Sequence, residues 1–567
     1  MDPKSPSKVK TSIAGFARYR VALKIGVVIV LAGSLSLLLL LSGWHLGWKS
    51  VVSRDPGRSY FTVVVDCGST GTRVNVYEWM LRGANESELP VLVNSYPDSL
   101  IKNQTSNGSC QYHCLQTEPG LDKFIGNASG VRAALEPLIN WAKKWVPEER
   151  HPETPIFVLA TAGLRRMAVK DATRVLDDVE AVVREHAFVY KRSWIRVLHG
   201  KEEAFYGWVA LNYKMGRLGN QSRLSTLGLL DLGGSSLQVA MEVHDSVNHE
   251  QLVRLKVGYI EHRVLAYSFP AFGLRAAFER TLIMLTQNET LRQRDGNYIL
   301  SHPCLNPNYV QNYTCYNCHA VNTTDKIFLG STKQKAEFSI MNVIGDPNWE
   351  ECRMLARAAA ANSSYLKHSS AVVGKSRKED VFYHNGGDWQ NITGVALPDM
   401  AFHALSGFFA VYTKLRLSGR ANFTRLLEKG HRLCSESWIN SSHITEHGNY
   451  GGQFCFQVPY LASLIDEALH VGDRDIIIGP GDISWTLGAS LVEGKFIRLH
   501  PFKAETALSS FRIGRVGSIP SPVLLFVLLI CLGAFVYRRQ IKLPMPRKKG
   551  AAGISLPLCN PRRQRSL

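Results

Sequence analysis

Two short glycine-rich stretches, each opened by an aspartate behind an apolar run, carry the residues best suited to chemistry: Asp66-Cys-Gly-Ser-Thr-Gly-Thr-Arg73 and Asp231-Leu-Gly-Gly-Ser-Ser-Leu-Gln238. Val63 to Val65 and the alternating run Val74 to Trp79 frame the first as two strands joined by a tight turn. Leu227 to Leu230 and Leu237 to Val243 frame the second in the same way. In such a turn successive backbone N–H groups point into one concavity, an anion nest suited to phosphate. One turn of this kind is a weak signal. Two with the same Asp-x-Gly-x-[Ser/Thr] pattern, 165 residues apart, predict a duplicated two-lobed domain gripping one polyphosphate from both sides.

Cleaving a phosphoanhydride requires a water aligned behind the terminal phosphorus and neutralisation of charge on the phosphate oxygens. Within the turn from Gly68 to Arg73, Ser69, Thr70, Gly71 and Thr72 offer donors to one phosphate, and Gly233, Gly234 and Ser235 to the next. Asp66 and Asp231 would repel those phosphates, which implies a divalent cation between them; the alternative is an aspartate bonding its own turn backbone. Between the two turns lies Gly200-Lys-Glu-Glu-Ala-Phe-Tyr-Gly-Trp-Val-Ala-Leu-Asn-Tyr213, with Ala204, Trp208 and Leu211 on one helical face and Glu202 and Glu203 in the first turn. Adjacent helix positions diverge by about 100°. One carboxylate is therefore available as a general base while its neighbour favours the helix N-terminus.

The elements that must position these residues alternate between strand and helix. A strand opens at Tyr60, the stretch from Asn85 to Asn127 reads as surface loop, and Val131 to Trp145 has helical apolar spacing. Pro155 to Leu159 reads as a buried strand ending in Ala160-Thr-Ala-Gly-Leu-Arg-Arg166, Ala168 to Tyr190 as a long amphipathic helix and Trp194 to Leu198 as another strand. This alternation predicts an α/β fold. The stretch 288–346, with clustered cysteines, reads as an insertion.

Two apolar segments, about Ile25 to Ser42 and Pro522 to Tyr537, are near the length that spans a bilayer. The tails outside them hold +14 of the formal net charge of +19, so the high pI reports the positive-inside rule with both tails cytosolic and gives no support for nucleic-acid binding. The expected organisation is a basic tail at 1–24, a transmembrane helix at 25–48 and a stalk at 49–59. A first lobe follows at 60–200, a second at 201–474, a return to the first lobe at 475–510, a second transmembrane helix at 518–537 and a basic tail at 538–567. Twelve Asn-x-Ser/Thr sequons lie between the apolar segments, as do nine of the eleven cysteines, which fits a lumenal or extracellular domain. Cys67 reads as a small buried filler. Cys110, Cys114, Cys304, Cys315, Cys318, Cys352, Cys434 and Cys455 form an even set for disulfides of undetermined connectivity. Cys315-Tyr-Asn-Cys318 resembles half a zinc site, but no second half follows. No obligate protein partner is evident.

Asp66 to Arg73, Ala160 to Arg165, Gly200 to Tyr213 and Asp231 to Gln238 resemble, in order and spacing, the first four signature regions of the apyrases, the nucleoside triphosphate diphosphohydrolases. Leu405-Ser-Gly-Phe-Phe409 and Trp485-Thr-Leu-Gly488 look like further landmarks, and the wording of the first turn is most like the plant membrane-bound members. The resemblance implies two ribonuclease-H-like lobes of the actin, sugar-kinase and chaperone-ATPase type, with nucleoside di- and triphosphates bound in between. It implies Glu203 as the base that activates water, Ser236 and Gln238 as the residues that hold that water, and Thr161 on a loop near it. It also implies Asp66 and Asp231 around Ca²⁺ or Mg²⁺. Where many relatives clamp the base with Arg-Asp, this chain has Leu274 and Arg275. Phe409 is then either a base-stacking ring or a core residue, and a broad or altered nucleotide preference is expected. The rival expectations are a polyphosphate phosphatase on the same fold and a nucleotide-sensing membrane receptor without turnover.

Overall fold

In the computed structural model, the described residues lie between 58 and 499, apart from internal stretches of which the longest are 98–114, 317–337, 362–398 and 440–450. The expected membrane segments and basic tails, nearly all of the stalk, and Cys110, Cys114 and Cys318 lie outside the described residues. Among the described residues no helix is long and apolar enough to cross a membrane.

The chain is α/β. Its first sheet comprises β1 (Ser59–Cys67), β2 (Thr72–Met80), β3 (Val91–Tyr96), β4 (Gln116–Thr117), β5 (Ile156–Ala160) and β6 (Ile195–Val197). The main order is β3-β2-β1-β5-β6, with β4 beside β2. β1 runs antiparallel to β2 and parallel to β5. The second sheet contains β7 (Gly228–Leu232), β8 (Ser236–Glu242), β9 (Leu252–Val257) and β10 (Ile260–Pro270). A separate four-stranded sheet is formed by β11 (Arg292–Arg294), β12 (Asn297–His302), β13 (Val310–Tyr316) and β14 (Phe338–Gly345), within the stretch read as an insertion. β15 (Phe402–Ser406), β16 (Gly419–Arg420), β17 (Ile476–Ile478) and β18 (Arg498–Leu499) complete the second sheet, in the order β16-β17-β15-β7-β8-β10-β9-β18. Here β7 is antiparallel to β8 and parallel to β15. The two large sheets thus repeat one plan: a central strand with an aspartate one residue before its end, a hairpin partner on one side and a parallel strand on the other.

The helices are α1 (Ala128–Trp145), α2 (Ala162–Arg165), α3 (Val169–Arg184), α4 (Gly200–Lys214), α5 (Leu274–Asn288), α6 (Trp349–Ala361), α7 (Gly407–Lys414), α8 (Phe423–Ile439), α9 (Phe454–Ser463) and α10 (Trp485–Glu493). α1 and α3 cover the outer face of the first sheet through Leu135, Leu138, Val175 and Val179. α5 to α9 cover the outer face of the second through Phe278, Ala356, Phe408, Leu426 and Phe456. Between the sheets lie α4 and α10, whose Trp208 and Leu487 share a core with Val64 and Phe157 of one sheet and Leu229 and Ala240 of the other. Sandwiched this way, α4 buries every residue from Glu203 to Asn212, so the one-sided apolar face read from its sequence is only part of its contact surface.

The local reading departs from the structure in other places. The helix expected to reach Tyr190 stops at Arg184, because Val189 leaves it to bond Thr154 and Ile156 backbone beside β5 while Phe188 packs on His151. The stretch read as loop from Asn85 to Asn127 supplies β3 and β4 to the edge of the first sheet, where pairing with β2 satisfies their backbone. Of the described part of 475–510, β17 and β18 lie in the second sheet, and α10 packs against β1 and β2 of the first. Cys304–Cys352 and Cys434–Cys455 are disulfides, and Cys67 is free and buried.

α10 is held to α4 by Tyr206 Oη donating to Glu493 at 2.6 Å and to β2 by a 2.7 Å bond between Tyr77 Oη and Thr486 Oγ1. At their crossing a Cβ on Gly488 would overlap the Tyr206 carbonyl oxygen. Gly488→Ala is therefore expected to destabilise the fold by at least the ~1–3 kcal/mol of overpacking, read as a lower midpoint in chemical denaturation. An unchanged midpoint would show that the helices do not meet there.

Candidate active site

The turns β1–β2 and β7–β8 meet. A Cβ placed on Gly234 in the second turn would stand 3.0 Å from Thr70 Cγ2 and 3.5 Å from Ser69 Oγ in the first. The hairpin registers are equivalent, with Asp66 opposite Arg73 and Asp231 opposite Gln238. The second turn is closed by Gly233 N–H bonding Ser236 O at 2.9 Å. Its outward carbonyls are taken by α5: Leu274 N donates to Gly233 O, and Arg275 and Ala276 N to Gly234 O, at 2.8–3.1 Å. These are the N–H groups that a helix start leaves without intrahelical partners.

Glu203 enters from the first turn of α4. One helical turn later, a Cβ on Gly207 would lie 3.9 Å from Asp231 Oδ2, so this face of α4 looks toward the second aspartate. Glu203 is buried and ion-paired through Oε2 to Arg165, whose Nε also donates to Leu198 O at 2.9 Å. Its neighbour Glu202 does the other job expected of the pair: it accepts from His199 N at 2.9 Å as a capping box and binds Arg196 at 2.9 Å.

Burial pushes Asp66 from the usual 3.8 up to about 7; Arg73 opposes this, and the charges of Glu203 and Asp231 add to it. Burial likewise lifts Asp231 to about 6, opposed by a hydrogen bond from Ser406 and reinforced by Glu203. Three carboxylates therefore feel one another in one place. Ser406 reaches Asp231 from the end of β15 with φ 56°, a left-handed backbone that costs a non-glycine residue about 1–3 kcal/mol.

Ser236 and Gln238 stand on β8, both buried, with Gln238 Nε2 donating to Ser236 Oγ at 2.7 Å and to Ser268 Oγ at 3.3 Å. Thr161 stands at the start of α2 and its N–H bonds Cys67 O at 3.2 Å, while a Cβ on Gly163 would be 3.0 Å from Ser69 Cα. That loop abuts the first turn. Gly68, Ser69, Thr70 and Gly71 form the turn itself, Ser69 being 7% and Thr72 0% exposed. Thr72 pairs with Cys67 and Thr117 through the sheet and so stands behind the turn rather than at its mouth. Arg73 spans from Asp66 at 3.5 Å to Gln116 Oε1 at 2.8 Å. Phe408 is fully buried, whereas Phe409 is half-buried with its ring against Gly479 and Gly481.

Sequence reasoning did not single out Ser268, Ser406, Arg166 or the bridging role of Arg275. Arg166 Nη2 donates to Ser235 Oγ at 3.0 Å, and Arg275 Nη1 to Ser69 O at 3.1 Å. Each contact joins distant parts of the chain. The only available hint was the second arginine of Arg165-Arg166 beside the loop motif.

Several known proteins are similar. The chain is 35% identical over 486 residues to "Probable apyrase 7" of Arabidopsis thaliana, a match that covers 84% of this chain and 62% of that relative's length. It is 25% identical over 546 residues to "Ectonucleoside triphosphate diphosphohydrolase 7" of Homo sapiens, covering 86% and 82%. A solved structure of nucleoside triphosphate hydrolases from Neospora caninum aligns over 81% of this chain and 96% of that one, with 15% identity and a TM-score of 0.48. The model of the GDA1/CD39 (nucleoside phosphatase) family matches residues 53–510, most of the chain, and the chain belongs to that family.

Proposed function

We propose that this chain is a membrane-anchored apyrase that hydrolyses the terminal phosphate of nucleoside tri- and diphosphates by direct attack of water, with no phosphoenzyme. The reading is carried by the meeting of the Ser69–Thr70 and Gly234 turns beside a buried Glu203 that couples electrostatically to both aspartates. The twice-repeated sheet plan supports lobes of the ribonuclease-H type around one nucleotide. The disulfides and sequons support a lumenal or extracellular domain, with 25–48 and 518–537 as its spans.

A divalent cation fits the residues present. Asp66 Oδ1 is buried without a hydrogen-bond partner, and the two aspartates share a site that raises both of their pKa values. Asp66 and Asp231 would hold Ca²⁺ or Mg²⁺, with the remaining ligands supplied by oxygen of water and phosphate, as these hard cations prefer; among the described residues no cluster of three or more His, Cys, Asp or Glu is arranged to hold a metal. When bound, the ion neutralises phosphate charge.

The chain's own residues do the rest. Glu203, oriented by Arg165, accepts the proton of the attacking water, while Ser236 and Gln238 hold that water in line and Thr161 flanks it. Gly68 to Gly71 and Gly233 to Ser235 present donors to the phosphates, while Thr72, expected from the sequence to share in this, stands behind the turn. Phe409 offers its half-exposed ring to the base.

With full-length chain in detergent, phosphate release from nucleoside tri- and diphosphates should require Ca²⁺ or Mg²⁺. Glu203→Gln should lower kcat by roughly 10²–10⁴-fold, as for loss of a general base, while nucleotide binding persists. An active Glu203→Gln enzyme would remove the proposed base, and tight binding by wild type with no turnover would favour a receptor.

The raised carboxyls also set a pH dependence. Between about pH 4 and 7 the folded chain holds protons on Asp66 and Asp231 that the unfolded chain releases, so metal-free stability falls as pH rises through that window. Asp66→Asn removes the buried charge, and is expected to raise the metal-free stability at pH 8 by on the order of a few kcal/mol, since the carboxyl's rise from 3.8 to about 7 spans roughly three tenfold steps in proton affinity at ~1.36 kcal/mol each. Added Ca²⁺ or Mg²⁺ should cancel that advantage. Thermal melts at pH 5 and pH 8, with and without chelator, check this; metal-free stability that climbs with pH would refute it.

A further inference from the structure

We infer that Ser268 on β10 is a positioning residue for the attacking water: it fixes the carboxamide of Gln238 so that its oxygen receives a hydrogen of that water, and it ties this amide to the helix that carries Glu203. This rests on the hydrolytic reading above. β10 runs antiparallel to β8, with Ser268 directly opposite Gln238, so the two side chains share one face of the sheet. Gln238 Nε2 donates to Ser236 Oγ at 2.7 Å and to Ser268 Oγ at 3.3 Å.

A carboxamide carries two N–H hydrogens and one carbonyl oxygen. With both hydrogens given to serine hydroxyls, Gln238 takes up any further partner at Oε1, as an acceptor. That is the role the reaction needs. A water attacking phosphorus aims a lone pair at it and turns its hydrogens away, one to the base Glu203 and the other to a second acceptor. Ser236, while accepting from Gln238, keeps its own hydrogen to donate. The terminal torsion of a glutamine is broad and roughly two-fold, so a bond to Ser236 alone would leave the amide free to swing. The second bond, to Ser268, fixes its plane. Gln238 is buried, so losing that bond would also strand an N–H away from water.

The other side of Ser268 meets the helix of the base. A Cβ on Gly200, the first residue of α4, would stand 2.3 Å from Ser268 Cβ, 2.6 Å from Ser268 Oγ and 3.1 Å from Arg165 Nη1. Only glycine lets α4 begin so close. Glu203 follows on the same face of α4 and is the ion-pair partner of that arginine. One half-buried serine therefore bonds the amide that would hold the water and abuts the element that carries the base. The spacing between acceptor and base, which must share a single water, is set through it.

The test uses full-length chain in detergent with Ca²⁺ or Mg²⁺ and compares wild type, Ser268→Ala, Gln238→Ala and the double variant for kcat and KM on a nucleoside triphosphate. Ser268→Ala should lower kcat by roughly three- to tenfold, the scale of one hydrogen bond, with KM unchanged, because the bond serves the water and not the nucleotide. On the Gln238→Ala background the same substitution should cost less than about twofold, since a residue that acts through Gln238 then has nothing left to position. Affinity for a nucleoside diphosphate with aluminium fluoride, a mimic of the phosphoryl group under attack, should fall in step with kcat, whereas a non-hydrolysable triphosphate analogue should bind Ser268→Ala as it binds wild type. Equal losses with and without Gln238, or a loss confined to KM, would overturn the inference and leave Ser268 as an ordinary strand residue, with the enzymatic reading intact. A wild type that binds nucleotide but releases no phosphate would sink that reading and this inference with it.

Discussion

Like charges forced together are the constraint on which this molecule depends. Asp66, Asp231 and Glu203 stand within electrostatic reach of one another in a place largely closed to water. Burying an unpaired carboxylate is costly, and the surroundings offset that cost piece by piece. Arg73 lies on Asp66, Arg165 on Glu203 and the Ser406 hydroxyl on Asp231. Among these three acids, Asp66 Oδ1 alone is left buried without a hydrogen-bond partner, the position that the proposed cation would occupy.

The architecture follows from that need. Acids that repel will not converge unless rigid elements push them together, and here each aspartate sits one residue before the end of a central strand whose side chains are covered on both faces. α4 and α10 fill the space between the sheets so completely that their backbones come close at Gly488. This wedge fixes Glu203 relative to both aspartates. Outer helices on each sheet complete the packing but contribute to the site only where α5 and α7 begin, and both begin at the carboxyl ends of strands or turns that line the cleft.

Family membership and geometry bear on different questions. The family match covers the whole described region and fixes the class of protein. Individual roles rest on the geometry, which divides the adjacent glutamates into a helix cap and a buried acid, moves Thr72 behind its turn, and separates a core Phe408 from a half-exposed Phe409.

The sequence by itself determined what short range can encode. Glycine, serine and an aspartate behind an apolar strand specify a hairpin turn and its donors, and that turn appears twice; the alternation of strand and helix specifies the α/β class; the roughly 100° step of a helix says that Glu202 and Glu203 cannot share a task. Only the tertiary structure decided what long-range packing controls. That Gly234 touches Thr70, that α4 is buried all round, that the helix after Ala168 stops at Arg184, that the stretch before Asn127 supplies edge strands, and that Arg275 turns to Ser69 all depend on partners distant in the chain. Local residue patterns fix backbone conformation, whereas the partner of a side chain is chosen by the packing of whole layers, and no window of sequence contains that information.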